Sequence, residues 1–172
     1  MAHRGRIPPD YKPTPANARF GAVLIALFPG PDGLSLPCIY RSEDGSVHAG
    51  QVALPGGGRE GAEDYPTETA LREAHEEIGL QPGRVDVLGL LSTLYISASN
   101  YSVSPVVGFV EDAPELTPNP WEVSGLLFVS IDELRRSEDV GHFRTSGGTV
   151  HDAPCYRVKE GTIWGATAMM LR

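Results

Sequence analysis

The sequence predicts one mixed α/β domain of the α+β type. Three observations point there. Short apolar runs rich in strand formers are closed by glycine and proline turn signals, one segment carries helical periodicity, and no repeat or linker divides the chain. At 172 residues, with 41% hydrophobic and 21% charged residues, the chain suits one compact core.

Met1–Asn17 holds four prolines and several charges and reads as a flexible arm (residues 1–17), leaving 18–172 as a single domain. "RFGAVLIALF" (Arg19–Phe28) is a strand closed by the hairpin turn "PGPDG", and "LSLPCIYRS" (Leu34–Ser42) is its antiparallel partner. "QVALPGGG" is a third short strand running into a glycine loop. Thr67 to Leu80 is the principal helix: Leu71, Ala74 and Ile78 form an apolar stripe, Pro66 suits the first turn, and Gly79 suits a left-handed C-terminus. "VDVLGLLSTLYISAS" and "YSVSPVVGFVE" make a long hairpin. "LLFVSIDEL" is a strand entering a short helix whose first turn carries Asp132 and Glu133, and "TIWGATAMMLR" is a strand entering a last helix.

Composition excludes several functions. A net charge of −8 with no basic block argues against nucleic acid as a partner. There is no apolar run of membrane-spanning length and no signal-peptide core, so no membrane partner is expected and the expected location is cytoplasmic. Cys38 and Cys155 are too few and too far apart for a disulfide framework or a metal knuckle, and read as reduced, partly buried thiols. A phosphorylated small molecule remains possible, because a divalent cation held by carboxylates bridges to phosphate oxygens.

Such carboxylates are present. Leu54–Leu80 carries seven acids (Glu60, Glu63, Asp64, Glu68, Glu73, Glu76 and Glu77) against two arginines, Arg59 and Arg72. Residues three and four apart share a helix face, so Glu73, Glu76 and Glu77 cluster while Leu71, Ala74 and Ile78 turn inward. The bland alternative is a solvated acidic face. A cation explains the crowding better, and all-oxygen ligands suit Mg²⁺ or Mn²⁺ rather than Zn²⁺.

The segment "GGREGAEDYPTETALREAHEEIGL" resembles the Nudix box, G-x5-E-x7-R-E-U-x-E-E-x-G-U with U aliphatic. Arg72, Glu73, Ala74, Glu76, Glu77, Gly79 and Leu80 match its second half. Strict spacing back from Arg72 selects Gly58 and Asp64, whereas one extra residue selects Gly57 and Glu63. The resemblance implies the Nudix fold, an α/β/α sandwich in which helices flank a mixed, largely antiparallel sheet, and metal-dependent hydrolysis of nucleoside diphosphate derivatives. Glu73 and Glu77 would be metal ligands, and Glu76 a further ligand or the carboxylate that activates water. The carbonyl of Gly56 or Gly57 would complete the site, and Arg72 would pair with Glu63 or Asp64.

"IYRSEDGSVHAGQVALPGG" is similar to the segment preceding the box in coenzyme A diphosphatases, with Arg41, Ser42, His48, Gly50, Pro55, Gly56 and Gly57 in register. "YSVSPVVGFV", "NPWEVSGLLFVSIDEL" and "TIWGATA" resemble that subfamily further on. Arg41, His48 and Ser46 are thereby implied as substrate contacts, with structural capping an equal alternative for His48. Ser46 stands where the subfamily has arginine, and Leu54 where it has phenylalanine. Losing that arginine weakens preference for the 3′-phosphate of coenzyme A unless another cation, such as Arg41 or Arg144, reaches it. The implied reaction converts coenzyme A or its derivatives to 3′,5′-ADP and 4′-phosphopantetheine. The alternatives are hydrolysis of ADP-ribose, dinucleotides or nucleoside triphosphates, and a non-catalytic nucleotide-binding module, against which the three intact glutamates speak. Glu122 is a candidate fourth carboxylate or catalytic base. His75 reads as an exposed bystander, and Trp121 and Trp164 as core, with Trp121, beside prolines, alternatively lining a pocket. The sequence is compatible with a homodimer and does not specify one.

Overall fold

A computed structural model describes residues 14–42, 51–144 and 150–172. Strand β1 (Arg19–Gly30) is the spine. Its alternate residues face opposite ways, and both faces are apolar, so it is buried from two sides. Ala22, Leu24, Ala26 and Phe28 enter one core, while Ile25, with Val23 and Leu27 beside it, enters the other.

The turn at Pro31–Asp32 returns the chain as β2 (Gly33–Arg41), antiparallel to the end of β1. β3 (Val52–Ala53) pairs with β2, and β4 (Gly56–Gly58) lies antiparallel on β1. The three glycines are thus a short strand, where the sequence suggested a loop. A ladder tolerates them because β1 offers Gly21, Ala22 and Val23 in register, small enough for close backbone approach. Helix α1 (Thr67–Ile78) crosses that face. β5 (Asp86–Leu90) and β6 (Leu94–Ile96) then pair with β7 (Tyr101–Phe109), so the expected hairpin forms with its first strand broken. β7 runs parallel to β1, the one parallel ladder among the described residues. β8 (Val123–Ser130) adds to β2 and leads into α2 (Ile131–Ser137), capped by the Ser130 hydroxyl, which accepts the Glu133 N–H at 3.1 Å.

The predicted sandwich of a mixed, mostly antiparallel sheet is therefore present. The main sheet runs β3-β2-β1-β7-β5, with β4, β6 and β8 as added pairings. α1 covers one face. The other is covered by α2, by α3 (Gly165–Leu171), and by a second antiparallel sheet of β9 (Glu138–Arg144), β10 (Val150–Val158) and β11 (Gly161–Trp164). Cys38 and Cys155 are free thiols wholly buried in these cores, and burial pushes the Cys38 thiol up to about 12. No helix among the described residues is long and apolar enough to cross a membrane.

Helix α1 packs through Ala70, Ala74 and Ile78, all fully buried. Their i, i+4, i+8 spacing is the true inner stripe, and Leu71 lies beside it, partly buried. The helix ends as its glycine demands: Gly79 adopts φ 72° and donates its N–H to the carbonyl of His75.

Candidate functional site

The rotation that places Ala70, Ala74 and Ile78 inward also carries Glu77 inward, 3% exposed. This corrects the expectation that all three helix carboxylates stand clear of the core. A buried carboxylate needs partners, and β4 supplies one: the Gly56 N–H donates to Glu77 Oε2 at 2.8 Å. Gly57 lies against Glu73, so a Cβ there would stand 2.5 Å from the Glu73 carboxylate. The glycine strand is therefore the surface on which both acids rest. Gly56 reaches the acids through its N–H.

Arg72 organises the rest. Its Nε donates to Glu63 Oε1 at 2.5 Å, Nη1 to Glu76 Oε2 at 2.7 Å, and Nη2 to the Gly58 carbonyl at 2.8 Å and Glu73 Oε1 at 3.0 Å. Burial works against its charge, but the pairs with Glu63, Glu73 and Glu76 outweigh it and hold the guanidinium above its usual range. The early acid of the box is thus Glu63, the one-residue-longer reading. Asp64 offers its backbone instead, its N–H donating to Glu68 Oε2 at 2.7 Å.

Glu63 also accepts the Glu60 N–H at 3.0 Å and the Thr69 hydroxyl at 2.6 Å. These bonds, with the one from Arg72, bring its carboxyl down to about 2. A carboxyl depressed in the fold stabilises it above the ordinary carboxylate range, and that contribution is lost as pH falls toward 2. Replacing Glu63 with Gln is expected to cost about 1.5–3 kcal/mol, or roughly 3–12 °C in Tm, at neutral pH. The difference from wild type should shrink below about pH 4, and thermal melts across pH check this. A gap unchanged down to about pH 2.5 would show that Glu63 is not held as an anion.

The two inner carboxylates behave oppositely. Burial raises Glu77 to about 7; the Gly56 N–H and Arg41 pull it down, and Glu73 and Glu122 push it up. Burial likewise raises Glu73, against Arg72 and with Glu76 and Glu122 adding to the rise. Two carboxyls are thereby held where ionisation is unfavourable. Glu76 is half exposed on Arg72.

Glu122 belongs to the same electrostatic neighbourhood and reaches it through Asn119. The Asn119 N–H donates to the Glu77 carbonyl at 2.8 Å, its Nδ2 to Glu122 Oε1 at 3.4 Å, and its Oδ1 accepts the Trp121 N–H at 3.2 Å. This loop leaves Trp121 88% exposed, against the expectation of core, because proline and asparagine bonding turns its backbone outward. Trp164 stacks on Phe143 with centroids 4.4 Å apart. His75 is exposed, as expected.

Across the glycine strand lies a cavity of about 310 Å³, lined by Arg41, Gln51, Gly56–Gly58, Tyr101 and Thr167 among others. Arg41 is thus placed at both the cavity and Glu77. Ser46 and His48 lie outside the described residues, as does the Arg144 side chain. A residue that sequence reasoning missed is Tyr101, whose hydroxyl packs against Gly58. Only the pairing of β7 with β1 brings it there.

Comparison with known proteins agrees with this geometry. Residues 19–146 match the NUDIX domain family. The chain is 41% identical over 162 residues to Nudix hydrolase 22, chloroplastic, of Arabidopsis thaliana, covering 87% of this chain but only 52% of that protein. It is 38% identical over 158 residues to the Nudix hydrolase NudL of Yersinia enterocolitica, covering 91% of this chain and 80% of that one. Among solved structures, a Nudix hydrolase from M. smegmatis, RenU, matches with TM-score 0.58 at 25% identity, covering 69% of this chain and 74% of that one. The NUDIX domain of Shewanella oneidensis NrtR, solved with ADP ribose, matches with TM-score 0.54 at 14% identity over 74% of this chain and 82% of that one, a likeness of fold alone. The family match over residues 19–146 and the identity to NudL show that the chain belongs to the NUDIX domain family.

Proposed function

We propose that this protein hydrolyses the diphosphate bond of nucleoside diphosphate derivatives, with coenzyme A or its derivatives as substrate and residues 18–172 as the catalytic domain. One observation carries this reading: Glu73 and Glu77 rest on the glycine strand Gly56–Gly58, Arg72 ties Glu73 and Glu76 to that strand, and the same strand lines a cavity of about 310 Å³. The segment around Arg41 supports the choice of coenzyme A through its similarity to coenzyme A diphosphatases.

The donor set fits Mg²⁺ or Mn²⁺. It is all oxygen, and Glu73 and Glu77 repel one another in a buried setting where a cation would relieve both. Among the described residues no three acids are already gathered as a cation cage, because Arg72 occupies Glu73 and Glu76. Glu73 and Glu77, with Glu76 and the carbonyl of Gly56 or Gly57, would hold the ion. When bound, it supplies neutralisation of the diphosphate and polarisation of its phosphorus. The chain does the remainder. Glu76 or Glu122, both open to solvent, takes the proton of the attacking water at a carboxylate oxygen. Water adds to one phosphorus, the bond from that phosphorus to the bridging oxygen breaks, and the two phosphomonoesters leave. Arg41 steers the substrate's negative charge toward the wall.

Product analysis over coenzyme A, dephospho-coenzyme A, ADP-ribose and dinucleotides, with Mg²⁺ or Mn²⁺, tests this. The expected products from coenzyme A are 4′-phosphopantetheine and 3′,5′-ADP. Cleavage of ADP-ribose alone would move the substrate elsewhere, and no cleavage of any would overturn the hydrolase reading.

A further inference from the structure

Arg19, the first residue of β1, is fixed by the hairpin tip between β6 and β7. Its backbone N–H donates to the Asn100 carbonyl at 2.9 Å, its Nη2 to the Ser99 carbonyl at 3.1 Å, and its guanidinium carbon lies 4.2 Å from the centre of the Tyr101 ring. Ser99 and Tyr101 both line the cavity. The tip itself is braced: Asn100 takes a left-handed φ of 55°, its Oδ1 accepting the Tyr95 hydroxyl at 3.0 Å and its Nδ2 donating to the Asn17 carbonyl at 3.1 Å. Arg19, exposed and not itself a lining residue, is thus held by two residues that are.

That cation has capacity left. A guanidinium offers five N–H donors, of which Arg19 places one, and it pairs with no carboxylate among the described residues despite 22 acids in the chain. Stacking on the tyrosine face leaves the edges of the fork open for a bidentate oxyanion. The same ring ties Arg19 to the catalytic side. The Tyr101 hydroxyl lies against Gly58, whose carbonyl accepts Arg72 Nη2 at 2.8 Å. One tyrosine ring therefore separates Arg19 from the glycine strand on which Arg72 of α1 is anchored.

We propose that Arg19, seated on Tyr101, binds a phosphomonoester that the substrate carries away from its scissile diphosphate, and so selects nucleotides bearing that extra phosphate. This rests on the nucleoside diphosphate reading above. It also answers the absence of arginine at position 46: the cation that reaches a second phosphate is neither Arg41 nor Arg144 but one supplied by β1.

The test uses the full chain and two ligands differing in one phosphate, adenosine 3′,5′-bisphosphate and 5′-AMP, titrated by calorimetry. The wild type is expected to bind the bisphosphate about ten- to a hundredfold more tightly. In Arg19→Gln that ratio should fall to near one with 5′-AMP affinity kept, Arg19→Lys should restore part of it, and Tyr101→Leu should lower it by unseating the guanidinium. Equal wild-type affinities, or a ratio unchanged in Arg19→Gln, would overturn the proposal. Hydrolysis of coenzyme A against dephospho-coenzyme A is measured in parallel, with the variant expected to raise KM for coenzyme A and hold kcat. A binding ratio that depends on Arg19 in a chain cleaving neither compound would sink the hydrolytic reading and keep this one. Equal cleavage of both, with the ratio unmoved by Arg19→Gln, would sink this one alone.

Discussion

Glu77→Gln is expected to fold as the wild type does and to lose kcat by orders of magnitude, on the order of 10²–10³. The fold survives because glutamine keeps an oxygen for the Gly56 N–H, which the carboxylate now accepts at 2.8 Å. It also removes a carboxyl whose ionisation burial opposes. On the proposed reading, what disappears is the ligand charge set deepest in the site, where the negative charge of a diphosphate would be balanced. Mg²⁺ should accordingly raise the Tm of the wild type more than that of the variant, since a ligand of the native state adds RT ln(1 + [L]/Kd). Near-wild-type turnover of the folded variant at saturating Mg²⁺ would remove Glu77 from the chemistry.

Gly56→Ala is expected to damage the fold itself. Gly56 has φ 155°, and a Cβ there would overlap the Ala22 carbonyl oxygen and fall within 2.5 Å of the Val23 Cα. Both are backbone atoms of the spine strand, so neither side can yield cheaply. Backbone strain and overpacking together are expected to cost about 2–5 kcal/mol. That corresponds to a fall in Tm of roughly 4–20 °C for a chain of this size. Because β4 also holds Glu77, activity should fall further than the loss of folded protein explains. Calorimetric melts read the first effect and activity per folded molecule the second. A Tm within about 1 °C of wild type would show that β4 shifts freely and is not the rigid wall described above.

The helix and its charged residues were legible because helical spacing alone decides which residues are neighbours. Arg72, Glu73, Glu76 and Glu77 sit within six residues, and no tertiary contact is needed to group them. Even there, one step of rotation escaped: Ala70 rather than Leu71 completes the inner stripe, and the same rotation buries Glu77. Loops have no such period. Glu63 and Asp64 are consecutive, and only the folded path past Thr69 and Arg72 selects the first. The hairpin of β9 and β10 carries exposed His142 and Asp152, so its apolar signal was too weak to read as strands. Trp121 followed its loop rather than its hydropathy. Arg19 and Tyr101, 82 positions apart, become neighbours only through the parallel ladder of β1 and β7.

On the proposed reading, the acidic face of α1 holds a divalent cation. Electron paramagnetic resonance of free Mn²⁺, titrated into wild type and into Glu73→Gln/Glu77→Gln, tests it without reference to any substrate. The wild type is expected to deplete the free-ion signal saturably, and the double variant, folded by circular dichroism, to leave it as in buffer. Equal depletion by both proteins would show that Glu73 and Glu77 hold no ion.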